Sequence, residues 1–170
     1  MPDAKPKDAI QLLKQDHRAV EELFSKFESA RGDGRKQKLA HEICRELTIH
    51  AMLEEEIFYP ACEGKVDDEL LKEGYVEHDA AKLLIAEIEA GEPSDEFYDA
   101  KMKVLREEIE HHIKEEEKQA DSMFKQAKKS GLDLDELGAQ IARRKAQLIE
   151  QVDARGLPEP VTTTLDKVEI

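Results

Sequence analysis

The chain has 170 residues, of which 39% are apolar and 39% are charged, and 40 acidic side chains against 26 basic ones give a formal charge of −14. This length suits one domain with its own core, and the composition is typical of amphipathic helices with solvated outer faces. The acidic charge disfavours phosphate backbones and anionic lipid, so we expect neither nucleic acid nor a membrane among the partners.

The N-terminal residues and the two cysteines both predict a cytoplasmic protein. The first residues contain no apolar segment of the kind that directs secretion, and no run approaches the roughly 18 apolar residues of a membrane span. Cys44 and Cys62 fall in one predicted helix, where they would lie roughly 27 Å apart, beyond the reach of a disulfide. We therefore expect free thiols and a cytoplasmic location.

Glycine, proline and serine clusters divide the chain into five predicted helices, at residues 8–30, 35–63, 67–90, 95–129 and 133–154. Ser94 and Asp133 are the expected N-caps of the last two helices. Strand-like alternation is missing from the sequence, which predicts an all-α protein. We expect an up-down-up-down four-helix bundle in residues 1–130, an additional C-terminal helix in 131–155 that packs on the bundle or on a partner, and a tail in 156–170.

Each of the first four predicted helices carries one histidine in an apolar stripe that has the alternating three- and four-residue steps of bundle packing. These histidines are His17, His50, His78 and His112, and the second and fourth stripes also contain Glu54 and Glu116. The predicted stripes also include Ile57 and Ala61 after His50, Tyr75 before His78, and Ala120 and Met123 after His112. Similar distances from the turns bring the four histidines to one height in an antiparallel bundle. Buried carboxylates are costly unless they are paired or metal-bound, so this layer predicts a metal site.

The two glutamates follow their histidines with the spacing His-x3-Glu, at His50 and Glu54 and again at His112 and Glu116. Residues four apart lie on one face of a helix, so the imidazole and the carboxylate can reach the same metal cluster. Mixed nitrogen and oxygen ligands suit iron, manganese or zinc. Because each carboxylate has two oxygens and can bridge two ions, the pattern favours a two-metal site.

Four segments carry a resemblance to a known family: Asp16-His17-Arg18, the run from His50 to Pro60, Glu77-His78-Asp79, and the run from His111 to Glu117. Over about residues 8–130, this ordered set resembles the hemerythrin-like, or HHE cation-binding, domains. The resemblance implies a four-helix bundle that binds two iron ions with an oxo or hydroxo bridge. The residues that match the ligand pattern are His17, His50, Glu54, His78, His112 and Glu116.

The third helix departs from the pattern of the oxygen-carrying members, which have a fifth histidine there in a His-x3-His pair. Gly74 stands four residues before His78. The sequence therefore predicts open coordination positions for water or an exogenous ligand, unless Tyr75, Glu77 or Glu21 supplies a ligand. Tyr75 is the best of these candidates because it lies in the stripe.

Two further histidines are expected to be solvated. His41 lies on the opposite side of its helix from His50, and His111 neighbours glutamates on the polar face of the fourth helix. His111 and Glu115 nevertheless share the His-x3-Glu spacing, so they form a rival register for the fourth-helix ligands.

Three classes of function follow from such a centre. The first is a non-haem di-iron protein that binds dioxygen, nitric oxide or peroxide in oxygen, iron or redox sensing or in a stress response. The second is a di-iron redox enzyme with peroxidase-like, catalase-like or oxidase activity, and the third is a metal-storage or metal-regulated interaction module. A homodimer through the C-terminal helix is a further expectation. The sequence shows no nucleophile–base array, so it does not support a hydrolase.

Overall fold

A computed structural model describes residues 5–165, and within them the chain is helical and contains no strand. The helices are α1 (Ala9–Ser29), α2 (Asp33–Leu53), α3 (Tyr59–Cys62), α4 (Asp68–Ala90), α5 (Tyr98–Ile113), α6 (Met123–Lys129) and α7 (Leu134–Arg155). Two π-helical turns, π1 (Glu54–Phe58) and π2 (Lys114–Lys118), continue α2 and α5. The four long helical segments form the predicted up-down-up-down bundle, and α7 is the additional C-terminal helix.

Acidic side chains cap most of the long helices. Asp8 accepts a hydrogen bond from the backbone N–H of Gln11 in a capping box, and Asp133 accepts one from Glu136, which agrees with the cap predicted there. The cap predicted at Ser94 is wrong, because α5 begins only after Phe97. Asp95 instead closes the preceding turn by accepting from the backbone N–H of Glu92 at 2.7 Å.

The predicted helix over residues 95–129 is interrupted in its second half. Gln119 has extended backbone (ψ 163°) directly after π2. Ser122 then starts α6 as its N-cap, because its side chain accepts from the backbone N–H of Lys125. The expected stripe therefore fails at Ala120, which is exposed, whereas Met123 is buried as predicted.

The histidine layer separates two apolar clusters of the core. One cluster contains Leu13 and Leu53 together with residues of α3, α6 and α7. The other contains Val20 and Leu47 together with residues of α4 and α5. Since His17 lies between Leu13 and Val20 along α1, the polar layer lies inside the bundle at the boundary of the two clusters, shielded from water on both sides.

Helix α7 buries its apolar stripe against this bundle. Gly138 permits the contact, since a Cβ at this position would lie 2.6 Å from the backbone oxygen of Lys7. Ile141 and Leu148 are buried in the same cluster as the first turns of α1. The apolar face of α7, which the sequence predicted to pack on the bundle or on a partner, thus packs on the bundle of its own chain. A homodimer remains a prediction.

Residues 156–165 of the predicted tail fold back onto α4 and are held there by one buried carboxylate, and residues 166–170 lie outside the described part of the chain. Asp79 accepts hydrogen bonds from the backbone N–H groups of Thr163 (2.9 Å), Thr164 (2.6 Å) and Leu165 (3.0 Å), and from the Thr164 hydroxyl. Burial by itself would raise the pKa of Asp79, but the bonds from Thr163 and Thr164 outweigh it and lower the pKa. Lys82 adds a bond to the backbone oxygen of Val161.

We expect Asp79→Asn to release the tail. The amide would present N–H groups to backbone N–H groups, and hydrogen bonds to a charged acceptor contribute about 1.5–3 kcal/mol each. Hydrogen exchange of the amides of Thr163, Thr164 and Leu165 should accelerate by about tenfold or more, as measured by mass spectrometry. The matched control is Asp68→Asn in the first turn of the same helix, where the carboxylate is exposed and pairs with Lys72. Equal exchange in the two variants would contradict this role of Asp79.

Candidate metal centre

All six side chains singled out from the sequence converge in one buried layer, and none is more than 8% exposed. They form two groups of three residues. Within each group, every residue offers one nitrogen or oxygen atom that lies within 4.8 Å of those of the other two. The members of the first group are His17, His50 and Glu116, and those of the second are Glu54, His78 and His112. Each group combines residues from different helices, so only the folded bundle assembles it.

The Nε2 atoms of the four imidazoles point toward the two central carboxylates. The Oε1 atom of Glu54 lies 3.1 Å from Nε2 of His50, 3.1 Å from that of His78 and 3.7 Å from that of His112. The Oε1 atom of Glu116 lies 3.3 Å from Nε2 of His17 and 3.1 Å from that of His112. Both glutamates therefore contact histidines of both groups, as bridging carboxylates would.

The Nδ1 atoms point away from the centre, and each of them faces a further carboxylate. The pairs are His50 with Asp16 at 2.9 Å, His78 with Glu55 at 3.2 Å, His112 with Glu77 at 2.8 Å, and His17 with Glu117 at 3.6 Å. Such outer carboxylates fix the orientation of a ligating imidazole and increase its basicity. None of the four acidic residues was predicted from the sequence to have this role, although each is the direct neighbour of a proposed ligand in the chain.

The electrostatics of the centre favour positive charge. Burial opposes protonation of His50, but the charge of Glu54 and the hydrogen bonds with Asp16 and Glu54 outweigh it and raise the pKa to about 10. The pKa of His112 is likewise raised, against the effect of burial, chiefly by the charge of Glu116. The carboxylates thus create a negative potential inside a low-dielectric core, where a cation is held strongly.

Several buried polar atoms at the centre have no hydrogen-bond partner within residues 5–165. They are Nδ1 and Nε2 of His17, Nε2 of His50, Oε2 of Glu54 and Oε1 of Glu116. An unsatisfied buried donor or acceptor costs about 1–3 kcal/mol, so a layer with several of them is unfavourable unless something binds there. The inward lone pairs and the mixed N/O donor set fit iron, and a cation would satisfy these atoms together, except for Nδ1 of His17, which faces Glu117.

Tyr59 is a member of the centre that sequence reasoning missed. Its hydroxyl donates to Oε2 of Glu116 at 2.9 Å and lies 3.3 Å from Nε2 of both His78 and His112. Burial, and then the charges of Glu116 and Glu54, raise the pKa of this phenol well above its usual value. The Tyr59 ring fills the space beside Gly74, where a Cβ would lie 2.9 Å from the hydroxyl oxygen. The room that the sequence suggested at Gly74 is therefore occupied.

The π-helical turn π1 explains why the expected stripe of the second helix is wrong after Glu54. A π turn inserts one extra residue, which rotates everything that follows by about 100° relative to a continuous α-helix. Ile57 and Ala61 are consequently only half-buried, whereas Phe58, Tyr59 and Cys62 are fully buried. The available signal was the aromatic pair Phe58-Tyr59, which lies four and five residues beyond Glu54.

The other candidate ligands lie outside the centre. Tyr75 is half-buried and packs its ring edge-on against Tyr59, with the ring centroids 5.1 Å apart. Glu77 contacts the outer nitrogen of His112, and Glu21 pairs with Arg18 and Lys118 at the surface.

The rival register of the fourth helix points outward. His111 is 61% exposed and pairs with Glu115 and Glu77, whereas His112 is 6% exposed. His41 is also exposed and pairs with Glu89.

The two cysteines are buried and free, and burial raises the pKa of Cys62 to about 12. Across residues 5–165, the helices all fall short of the length and apolarity that a membrane crossing requires.

Comparison with known proteins identifies the family. A DNA nickase of Nostoc sp. is 27% identical over 106 residues, a match that spans 62% of this chain and 30% of that protein. A hemerythrin HHE cation binding domain-containing protein from Mycobacterium kansasii shares the fold, with a TM-score of 0.73 and 23% identity over 89% of this chain and 95% of that one. Residues 8–123, which contain the whole histidine layer, match the family described as hemerythrin HHE cation binding domain. This chain belongs to the hemerythrin HHE cation-binding domain family.

Proposed function

We propose that the chain is a non-haem di-iron protein whose ligands are His17, His50, Glu54, His78, His112 and Glu116. The observation that carries the proposal is the orientation of the four imidazoles, with every Nε2 facing a central carboxylate and every Nδ1 facing an outer one. Hydrogen-bonded core histidines need no such common orientation, whereas ligating histidines do. Membership of a cation-binding family supports the same conclusion.

The two groups of donors support two ions rather than one. Each group supplies two imidazoles and one carboxylate, and Glu54 and Glu116 each approach histidines of both groups. The proposed pair would carry an oxo or hydroxo bridge, and when bound it would supply redox chemistry and positions for dioxygen, nitric oxide or peroxide. The chain's own residues hold the ions, orient the imidazoles through Asp16, Glu55, Glu77 and Glu117, and exclude bulk water. We propose sensing of oxygen, iron or redox state as the role.

The first test is the metal content of protein produced with supplemental iron. We expect about two iron ions per chain, and His112→Ala should reduce the content to about one or less because it removes a nitrogen that contacts both carboxylates. His111→Ala is the matched control, since this neighbour is exposed and should leave the content unchanged. A reproducible value near one in the unaltered protein, or loss of iron from His111→Ala alone, would refute the assignment.

Tyr59 supplies a spectroscopic test of the same centre. Its hydroxyl lies within 3.3 Å of Nε2 of His78 and His112, where an additional ligand oxygen would be placed. We propose that the Tyr59 phenolate is a further ligand of ferric iron, so the iron-loaded protein should show a visible phenolate-to-iron charge-transfer band, which Tyr59→Phe should lose while retaining its iron. Tyr75→Phe is the control and should keep the band. A band that survives in Tyr59→Phe, or disappears in Tyr75→Phe, would contradict the assignment of Tyr59.

Small-ligand binding and enzymatic turnover are distinguishable on the same sample. Azide or nitric oxide should change the absorption spectrum of the iron-loaded protein in a saturable way if ligands reach the ions. Hydrogen peroxide consumed over many cycles would instead favour the peroxidase-like or catalase-like alternative. The name of the Nostoc relative, DNA nickase, does not support DNA cleavage by this chain, because the match spans 30% of that protein and the charge of −14 repels a phosphate backbone.

A further inference from the structure

One cavity of about 740 Å³ joins the histidine layer to the C-terminal tail. The four buried histidines of the layer are among its lining residues, and residues 156–161 and Thr163 of the tail line it as well. The tail therefore lies across one end of a space whose other end is the proposed metal centre.

Aromatic rings close the histidine layer on another side. Phe124 stacks on His17 with the ring centroids 5.7 Å apart, and Tyr59 stacks on His78 with the centroids 5.1 Å apart. Both rings are fully buried in the apolar cluster that contains residues of α3, α6 and α7. Close packing of such a cluster obstructs the passage of even a small molecule.

Small side chains keep the cavity side open. Ala51 on α2 and Ala81 and Ala86 on α4 line the cavity. In a close-packed bundle, side chains of ordinary size would fill this space. Dioxygen, nitric oxide and azide are small enough to move through it, so the cavity is a path from the tail to the histidine layer.

The tail has a conformationally permissive residue at one end and a firm attachment at the other. It starts at Gly156, where φ is 79°, a conformation that glycine adopts readily and other residues rarely do. At the far end, the backbone N–H groups of residues 163–165 donate to Asp79. Pro158 and Pro160 lie between the two ends and restrict the backbone, so this stretch would move as a unit.

The middle of the tail is held less firmly than its far end. The side chain of Val161 is 78% exposed, and its backbone oxygen accepts a hydrogen bond from Lys82. The Asp79 carboxylate, in contrast, accepts from three backbone N–H groups and from the Thr164 hydroxyl. Loss of the contacts with Asp79 would therefore release the far end of the tail before the rest of the fold opens.

We propose that residues 156–165 are a lid that controls the rate at which small ligands reach the metal centre, with its hinge at Gly156 and its latch at Asp79. The lid rests on the proposed function, because it regulates access to the same centre. A lid that opens more often speeds entry and exit of a ligand alike, so it changes rates and leaves affinity nearly unchanged.

The first experiment measures azide binding to the iron-loaded full chain by stopped-flow absorption. In Asp79→Asn, the association and dissociation rates should both rise by about tenfold or more, because hydrogen bonds to a charged acceptor are among the stronger ones. Iron content should stay the same, and the dissociation constant should change by less than about threefold. Asp68→Asn is the matched control, since this exposed carboxylate lies in the first turn of the same helix. Unchanged rates in Asp79→Asn, or a changed dissociation constant without faster rates, would overturn the proposal.

A second variant releases the latch from the side of the tail. Asp79 directly follows the proposed ligand His78, whereas Thr164 is distant from it in the chain. Thr164→Pro removes the backbone N–H and the hydroxyl that contact Asp79 at 2.6 and 2.7 Å. It should accelerate azide binding and release as Asp79→Asn does. Acceleration in Asp79→Asn alone would assign the effect to His78 and refute the lid.

A third measurement needs no iron. Diethyl pyrocarbonate modifies imidazoles, and mass spectrometry can locate the modified residues in the metal-free full chain. In both latch variants, His50 and His112 at the cavity should react about tenfold faster or more than in the unaltered chain. His41 and His111 are exposed and serve as internal controls that should react at the same rate in every variant.

The iron-free measurement separates the lid from the di-iron proposal. Faster modification of His50 and His112 in a chain that binds no iron would support the lid and refute the di-iron centre. Iron binding together with unchanged modification of these two histidines would do the opposite. Equal acceleration at His41 and His111 would indicate general loosening of the fold and would overturn the lid as well.

Discussion

Glu54→Gln is expected to lower the iron content from about two ions per chain to well below one. Glu54 is fully buried, and its Oε1 atom approaches imidazoles from α2, α4 and α5. The substitution keeps the size of the side chain but replaces a charged bridging group by a neutral amide with one acceptor oxygen. Both proposed ions lose a shared anionic ligand, and the inward amide N–H₂ would face the ions directly.

The matched control is Glu56→Gln, two residues along the same acidic run. Glu56 points outward and pairs with Arg144 of α7, so its neutralisation should leave the iron content unchanged. Iron should be measured by elemental analysis on folded protein, with circular dichroism to confirm the helical content. Retention of two iron ions by Glu54→Gln would show that this carboxylate does not bridge the centre.

Gly74→His is expected to destabilise the protein and not to restore a fifth histidine ligand. A Cβ at residue 74 would lie 2.9 Å from the Tyr59 hydroxyl oxygen and 3.2 Å from the adjacent ring carbon, so an imidazole cannot enter while Tyr59 is present. Overpacking of a close-packed core typically costs about 1–3 kcal/mol. Iron content should fall as well, because Tyr59 contacts Glu116 and two of the histidines.

Removal of Tyr59 should reverse the effect. In the double variant Gly74→His with Tyr59→Ala, the new imidazole lies on the same helical face as His78 and can use the vacated space. Urea unfolding should show that the double variant loses less unfolding free energy than the two single variants lose together, by about 1 kcal/mol or more. Gly34→His is the control, because nothing lies within 4 Å of a Cβ there. Strictly additive effects would contradict the contact between residues 59 and 74.

The sequence by itself was sufficient for the identity of the bundle and of its six central side chains. Periodicity of three and four residues determines which helical face is buried, and the two His-x3-Glu pairs lie on that face because their spacing matches the helical repeat. The heights of the histidines follow from helix length and antiparallel connection alone. For these reasons the sequence alone places His17, His50, His78 and His112 in one layer.

Only the tertiary structure decided which further groups complete the layer. The π turn at Glu54–Phe58 shifts the helical register of the residues after it by one, so Tyr59 reaches the centre. Tyr75, which the sequence favoured, does not reach it. The periodicity of the sequence does not reveal the inserted residue. The contact of Tyr59 with Gly74 joins residues that are distant in sequence. The tail is bound by Asp79 through backbone N–H groups, which every residue except proline possesses, so side-chain patterns cannot reveal it. Sequence patterns report the repeat of one helix, whereas these contacts depend on how separate segments meet.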